Sequence, residues 1–376
     1  MLSVPKYIEK LAPYVPGKPI EETQREYHLK KVIKLASNEN PLGPSPRALH
    51  AIQNAGSDLH RYPDSSGFSL KQALAQSTQL MPQQIILGNG SNEIIDQIIR
   101  TYCVPGDAIA TFEYSFIAYR ICAQIHGVHT LEAPVGPEFS LDGEALVRLV
   151  SHHQNVKVVF IAHPNNPTGQ YLKKDEFESL LQKLSKIRGG SVLIVVDHAY
   201  AEYVTAPDFP YPEPYLKSYP QLMILKTFSK IYGLAGLRVG VGFSSPEVIT
   251  QVEKVRQPFN MNSLGLLAAE GALEDLEFVK RSQENNLKGM AFWESQLEEL
   301  EIPHWKSQGN FILIDVSQGL GALGLDVYQR CLQKGLILRP LNNYGLKQAL
   351  RITIGTPEEN QWAVEKIAAV CKELRK

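Results

Sequence analysis

Residues 222–242 read LMILKTFSKIYGLAGLRVGVG. The apolar run at 222–225 predicts a short buried strand that stops at Lys226. Small and polar residues follow, namely Thr227, Ser229, Lys230, Gly233 and Gly236, then Arg238 and a second apolar run at 239–243. A lysine just past a strand end, flanked by hydroxyls and followed by glycines and an arginine, suits one chemistry. The amine condenses with a carbonyl, while the hydroxyls and the guanidinium grip a phosphate. Taken alone, the stretch also reads as a surface loop with a solvated lysine, so the rest of the chain has to decide.

A chain of 376 residues is long enough for a large core and predicts two domains. Its 44% hydrophobic and 20% charged residues are those of an ordinary globular protein, and a net charge of -1 gives no electrostatic footprint for nucleic acid. The cysteines, Cys103, Cys122, Cys331 and Cys371, lie far apart, with neither zinc-ligand spacing nor a disulfide framework. No metal is expected, and a reducing cytoplasm is the predicted location. The opening MLSVPKYIEKLAPY lacks the apolar segment of a signal peptide. No apolar run approaches the ~20 residues that span a bilayer, so no membrane partner is expected.

Outward from the opening stretch, apolar runs alternate with helical patterns. Strands are predicted at 33–36, 85–87, 108–112, 128–131, 156–162 and 192–196. After 85–87 comes Gly88-Asn89-Gly90-Ser91-Asn92-Glu93, opening a helix with Ile94, Ile95, Ile98 and Ile99 on one face. A glycine turn at a helix start presents free N–H groups, a phosphate site in principle, although a tight capped loop reads the same way. It is neither of the common nucleotide-binding glycine signatures. The strand at 156–162 ends in HPNNPTG, whose prolines and glycine fix where Asn166 points, and 192–196 ends in Asp197-His198-Ala199-Tyr200. Such alternation implies a mainly parallel sheet with ligands beyond the carboxyl ends of its strands. Gly90, Asn166, Asp197, Thr227, Ser229 and Lys230 all fall at that edge, a constellation stronger than any single motif.

Pyridoxal phosphate supplies both the carbonyl and the phosphate that these residues suit. Asp197 at its strand end would keep the pyridine nitrogen protonated, although an aspartate there also reads as a helix cap. Tyr200 and Asn166 would bond the ring oxygen. Thr227, Ser229, Arg238 and the start at Ser91-Asn92 would surround the phosphate. Tyr114, in the loop after 108–112, offers an aromatic to stack on a planar ring.

The C-terminal third reads as a second domain, helical over about 262–300, with strands at 311–314, 336–338 and 350–354. Its last helix opens with Thr356-Pro357-Glu358-Glu359, a capping sequence. Arg351 lies inside the last strand, where an arginine needs a partner. An anionic substrate group or a structural salt bridge would serve.

The chain resembles the fold-type I pyridoxal-phosphate aminotransferases, and more narrowly the histidinol-phosphate aminotransferase group. The matching segments run in family order over essentially the whole chain: PYVPGKP (13–19), KLASNENPLGPSP (34–46), RYPD (61–64), GNGSNEII (88–95), HPNNPTG (163–169), DHAY (197–200), TFSKIYGLAGLRVG (227–240), GNFIL (309–313) and LRITIGT (350–356). The resemblance implies an α/β fold with a large domain, its mainly parallel sheet flanked by helices, and a smaller α+β C-terminal domain. An N-terminal arm and small-domain segment would cover 1–39, the large cofactor-binding domain 40–275 and the small C-terminal domain 276–376. Lys230 would hold the cofactor covalently and move a proton between substrate carbon and cofactor carbon. Asp197 would pair with the pyridinium, Asn166 and Tyr200 with the ring oxygen, and Tyr114 would stack on the ring. Ser91, Asn92, Thr227, Ser229 and Arg238 would bind the phosphate, joined by Tyr62 of a neighbouring subunit in a homodimer with shared sites. Arg351 would grip the substrate anion, with Arg339, Tyr14 and Asn166 nearby.

Two positions depart from the family pattern: His163 stands where asparagine is usual and Glu113 where threonine is common. The expected reaction is ping-pong amino transfer between histidinol phosphate and 2-oxoglutarate, with glutamate as the counterpart, in histidine biosynthesis. An aromatic amino-acid aminotransferase and a decarboxylase of a phosphorylated amino acid are the alternatives. A non-enzymatic cofactor-binding regulator is disfavoured, because no DNA-binding segment is appended and Lys230 is in place.

Overall fold

The computed structural model describes residues 2–11, 17–53 and 55–375. A short strand, β1 (Ile33–Lys34), precedes a seven-stranded sheet. That sheet contains β2 (Ile85–Gly88), β3 (Ala108–Phe112), β4 (His129–Ala133), β5 (Val156–Ala162), β6 (Leu193–Asp197), β7 (Leu222–Thr227) and β8 (Gly240–Phe243), in the spatial order β2-β8-β7-β6-β5-β3-β4. Neighbours are parallel except around β8, which is antiparallel to both β2 and β7. Parallel neighbours need a crossover long enough to return the chain, whereas a compact turn reverses it. The segment between β7 and β8 holds only a single 3-10 turn, Ala235–Leu237, so the chain reverses there.

Both faces of the sheet are covered. Ile194, Val196, Leu222 and Ile224 point into one apolar core, while Leu193, Val195, Met223 and Leu225 point into another beneath helix Ser91–Tyr102. Burial on both sides is why these strands read as unbroken apolar runs instead of alternating ones.

A second, four-stranded antiparallel sheet has the order β12-β13-β10-β9, built from β9 (His304–Trp305), β10 (Phe311–Asp315), β12 (Arg339–Leu341) and β13 (Leu346–Thr353). Beside it β11 (Leu336–Ile337) pairs in parallel with β1. The core here is separate, with the fully buried Trp293 of helix Leu276–Glu299 among Ile312, Ile352, Ala363 and Ile367. The last helix, Pro357–Leu374, begins in the expected capping box, Thr356 accepting from Glu359 N and Glu359 from Thr356 N.

The helical stretch expected over 262–300 is two helices, Ser263–Leu273 and Leu276–Glu299, broken where Asp275 caps the second by accepting from Phe278 N. The strand expected at 336–338 is the seam between β11 and β12, which serve different sheets. Among the described residues no helix is long and apolar enough to cross a membrane.

Candidate active site

A cavity of about 210 Å³ lies beyond the carboxyl ends of β5, β6 and β7, closed on its far side by β12 and β13. Lys230, three residues past β7, lines it and donates from Nζ to the Ser37 carbonyl oxygen at 3.0 Å. Burial, helped by the cations of Arg351, Arg238 and Lys34 against the opposing Glu39, brings the amine down to about 7. A large share of this amine is therefore uncharged at neutral pH.

Asp197 is the last residue of β6 and is buried. Burial raises its carboxyl to about 6, and three groups work against that rise. The Tyr119 hydroxyl donates to Oδ2 at 2.8 Å, the Ala199 amide donates to Oδ1 at 3.1 Å, and Lys230 acts through its charge. Such a carboxylate is poised to meet one more cation.

Tyr200 sits across the cavity. Its oxygen accepts from Asn38 Nδ2 at 2.9 Å and from Asn166 Nδ2 at 3.2 Å. Burial pushes the phenol up to about 12, with Arg351 and the Asn38 bond pulling the other way. The buried Arg351 guanidinium donates to Asn166 Oδ1 and to the Ala36 carbonyl, both neutral, and lies over the Phe311 ring at 5.3 Å. Arg339 faces Arg351 directly across the β12–β13 ladder, and both line the cavity. Two guanidiniums at one cross-strand position give this wall of the cavity a cationic character.

The opposite end is built for a compact anion. Ser91 and Asn92 open helix Ser91–Tyr102 and line the cavity, so the helix start with its positive dipole end borders it. Ser229 N donates to Thr227 Oγ1 at 3.1 Å, and Arg238 donates from Nη1 to Ser229 Oγ at 3.3 Å. A side chain on Gly90, which has φ +84°, would place its Cβ 2.1 Å from Arg238 Nη2. Only glycine leaves room for the guanidinium there.

A family model for the class I and II aminotransferases matches residues 30–367. The chain belongs to this family. It is 43% identical to a histidinol-phosphate aminotransferase of Bdellovibrio bacteriovorus, over 98% of both chains. Histidinol-phosphate aminotransferase 1 of Nitrosococcus oceani is 42% identical over 98% of this chain and 96% of its own. Among solved structures, the histidinol-phosphate aminotransferase of Sinorhizobium meliloti in complex with pyridoxal-5'-phosphate superposes with a TM-score of 0.86, at 25% identity, over 98% of this chain and 97% of that one.

The residues present fit that cofactor. An aldehyde needs an uncharged amine, which Lys230 offers; a ring nitrogen needs a buried acceptor, which Asp197 offers; a phosphate needs the hydroxyls, guanidinium and helix start around Gly90. Of the residues expected from sequence for this aminotransferase, the cavity brings together Ser91, Asn92, Asn166, Asp197, Tyr200, Thr227, Ser229, Lys230, Arg238, Arg339 and Arg351.

Tyr114 has φ +54° and lines not this cavity but a smaller one that shares Phe116, Ile117 and Tyr344 with it, its ring edge-on to Phe139 at 5.5 Å. Phe116, from the same loop, lines the cavity itself. Tyr62 is also off the lining of its own chain's cavity, 82% exposed and stacked on Phe259 at 4.6 Å. Tyr14 lies outside the described residues.

Sequence reasoning missed Ser37, Asn38, Phe116, Tyr119 and Tyr344. Ser37 and Asn38 carry the same signal as the others, polar residues just past a strand, but that strand belongs to the small sheet's side. Tyr344 reaches the lining from the 3-10 turn Asn342–Tyr344, which has no periodic signal at all.

Proposed function

We propose that this protein is a pyridoxal-phosphate-dependent transaminase acting on histidinol phosphate and 2-oxoglutarate by a ping-pong route in histidine biosynthesis. The observation that carries the substrate is the facing pair Arg339 and Arg351 at the end of the cavity away from the helix start. Two guanidiniums suit a dianionic phosphate better than one carboxylate, and one of them suffices for the carboxylate of 2-oxoglutarate or glutamate. The names of the bacterial relatives support the same choice.

When bound, pyridoxal phosphate supplies an aldehyde carbon that carries the amino group between two substrates, and a ring that draws electrons from the reacting carbon. Lys230 would hold it through the uncharged amine and, once displaced by the incoming amino group of the substrate, would accept and return the proton of the substrate carbon at Nζ. Asp197 holds a proton on the ring nitrogen by charge. Tyr200, oriented by Asn38 and Asn166, and Asn166 itself bind the ring oxygen. Ser91, Asn92, Thr227, Ser229 and Arg238 hold the phosphate. Phe116 takes the ring-stacking role expected of Tyr114.

The reading extends to assembly. Tyr62, Phe68 and Phe259 are exposed apolar residues, and Tyr62 has no role in its own cavity. They support a homodimer in which Tyr62 of each subunit reaches the other's cofactor phosphate. An arm and small-domain segment over 1–39, a large domain over 40–275 and a small domain over 276–376 accord with a C-terminal core separate from the two that flank the seven-stranded sheet, and the protein works in the cytoplasm.

A substrate panel scored by bleaching of the bound cofactor tests the assignment. Histidinol phosphate should react roughly a hundredfold faster than histidinol, since a site built for a charged group loses a few kcal/mol without it. Arg351→Ala should remove most of that preference and also weaken glutamate. If phenylalanine or tyrosine outruns histidinol phosphate, the aromatic aminotransferase reading replaces this one.

A further inference from the structure

Asp197 lines the cavity, and each of its carboxylate oxygens accepts a hydrogen bond from the protein. On the protein side stands Tyr119, which is fully buried in helix Ala118–Ile125 and is not part of the cavity lining. Its hydroxyl donates to Asp197 Oδ2 at 2.8 Å. Its ring is fixed on two sides, stacked on Phe160 at 4.7 Å and edge-on to Phe116 at 5.7 Å. A phenol whose ring cannot swing keeps its oxygen at one point, here within hydrogen-bond reach of Asp197 Oδ2. The Ala199 amide on Oδ1 supplies the second restraint. The remaining titratable and charged groups facing this carboxylate are Lys230 from the loop after β7 and Tyr200 from the turn after β6.

We propose that Tyr119 is a positioning residue that acts on the cofactor through Asp197, fixing the carboxylate's orientation and favouring its ionised form opposite the ring nitrogen. The proposal rests on the reading of the cavity as a pyridoxal phosphate site. The physical content is a choice of proton position. A carboxylate shared with a pyridine nitrogen can form an ion pair, or a neutral acid beside a neutral ring. A buried carboxylate without donors drifts to the neutral pair, and a charge-assisted O–H bond holds it at the ion pair. Phe116 places the same assembly beside the ring face, so one short segment, 116–119, serves both the ring and its nitrogen's partner.

The test is binding to the cofactor-free protein, read by absorbance and fluorescence, for pyridoxal phosphate and for its analogue with carbon in place of the ring nitrogen. Wild type should prefer pyridoxal phosphate. Tyr119→Phe keeps the ring and its stacking, so it should bind the analogue as wild type does and lose about ten- to a hundredfold of the preference. Asp197→Asn should lose the preference altogether, and adding Tyr119→Phe to it should change nothing further. The visible band of the loaded Tyr119→Phe protein should also shift its pH midpoint, with kcat falling more than KM rises.

Equal weakening toward both ligands would make Tyr119 a structural residue and overturn the proposal, as would an unchanged preference. A wild-type protein that binds the two ligands equally overturns the reading of Asp197 and the proposal with it. A wild-type protein that binds neither overturns the cofactor reading itself.

Discussion

Lys230 shows how much one residue's surroundings decide. An amine brought down to about 7 from the ordinary 10.5 is one the folded chain declines to protonate while the unfolded chain still does. Stability of the cofactor-free protein should therefore rise with pH between those two values, with the full penalty present below about 7. Lys230→Met removes the penalty. Its thermal midpoint without cofactor should exceed wild type by about 2 °C or more at pH 6, with the difference shrinking toward pH 10. A difference constant with pH would show that the gain is packing alone. At this scale the site was largely legible in the sequence, because the chemistry of lysine, aspartate and arginine is specific and each lies in, at the end of or just past a recognisable strand. The exception is instructive. Tyr114 and Phe116 are two residues apart in one loop, Phe116 lines the cavity, and the left-handed backbone at Tyr114 is one that no residue pattern announces. Tyr119 was missed for a different reason: it lies inside a helix as an apparent core aromatic, and only its contact with Asp197 gives it a task.

The elements bring these side chains together by ending where they do. β5, β6 and β7 run parallel and in step, with Ala162 beside Asp197 and Asp197 beside Leu225, so the residues beyond them emerge at one edge. The reversal into β8 then returns the chain past the start of helix Ser91–Tyr102, where Gly240 meets the backbone of Gly90 and Ser91. A Cβ on Gly240 would lie 2.2 Å from Ser91 N, and a backbone atom has nowhere to retreat. Gly240→Ala should cost about 1–3 kcal/mol in urea unfolding of the cofactor-free protein and weaken cofactor binding at least tenfold, because it displaces the helix start that holds the phosphate. Unchanged binding would separate the helix start from the phosphate site. The strands were legible as apolar runs, but an apolar run carries no direction, so the antiparallel placement of β8 was not. Nor was the split of 336–341 into β11 and β12, since a strand that changes partner keeps the same residue types.

At the scale of the whole molecule, the mainly parallel sheet and the separate C-terminal sheet were legible from the order of elements, whereas the chain's closure on itself was not. Assembly can be tested by mixing. Lys230→Ala and Tyr62→Ala subunits should each be inactive, and their hybrids should contain one complete site. Recovered activity of about a quarter of wild type is expected from equal random exchange, in which half the dimers are hybrids with one working site each. No recovery after verified exchange would remove the shared site. Closure itself has a consequence in time. Ile33 pairs with Leu336, and the carbonyls just beyond it, Ala36 and Ser37, receive Arg351 and Lys230. On a ribosome adding about 5–20 residues each second, the partner of this early strand arrives roughly 15–60 seconds after the strand itself. The seven-stranded sheet is fully synthesised well before then, yet the pocket lacks the arginine that closes it. A nascent chain thus carries its reactive lysine in a half-built cleft until β13 emerges, and that strand turns the cleft into an enzyme.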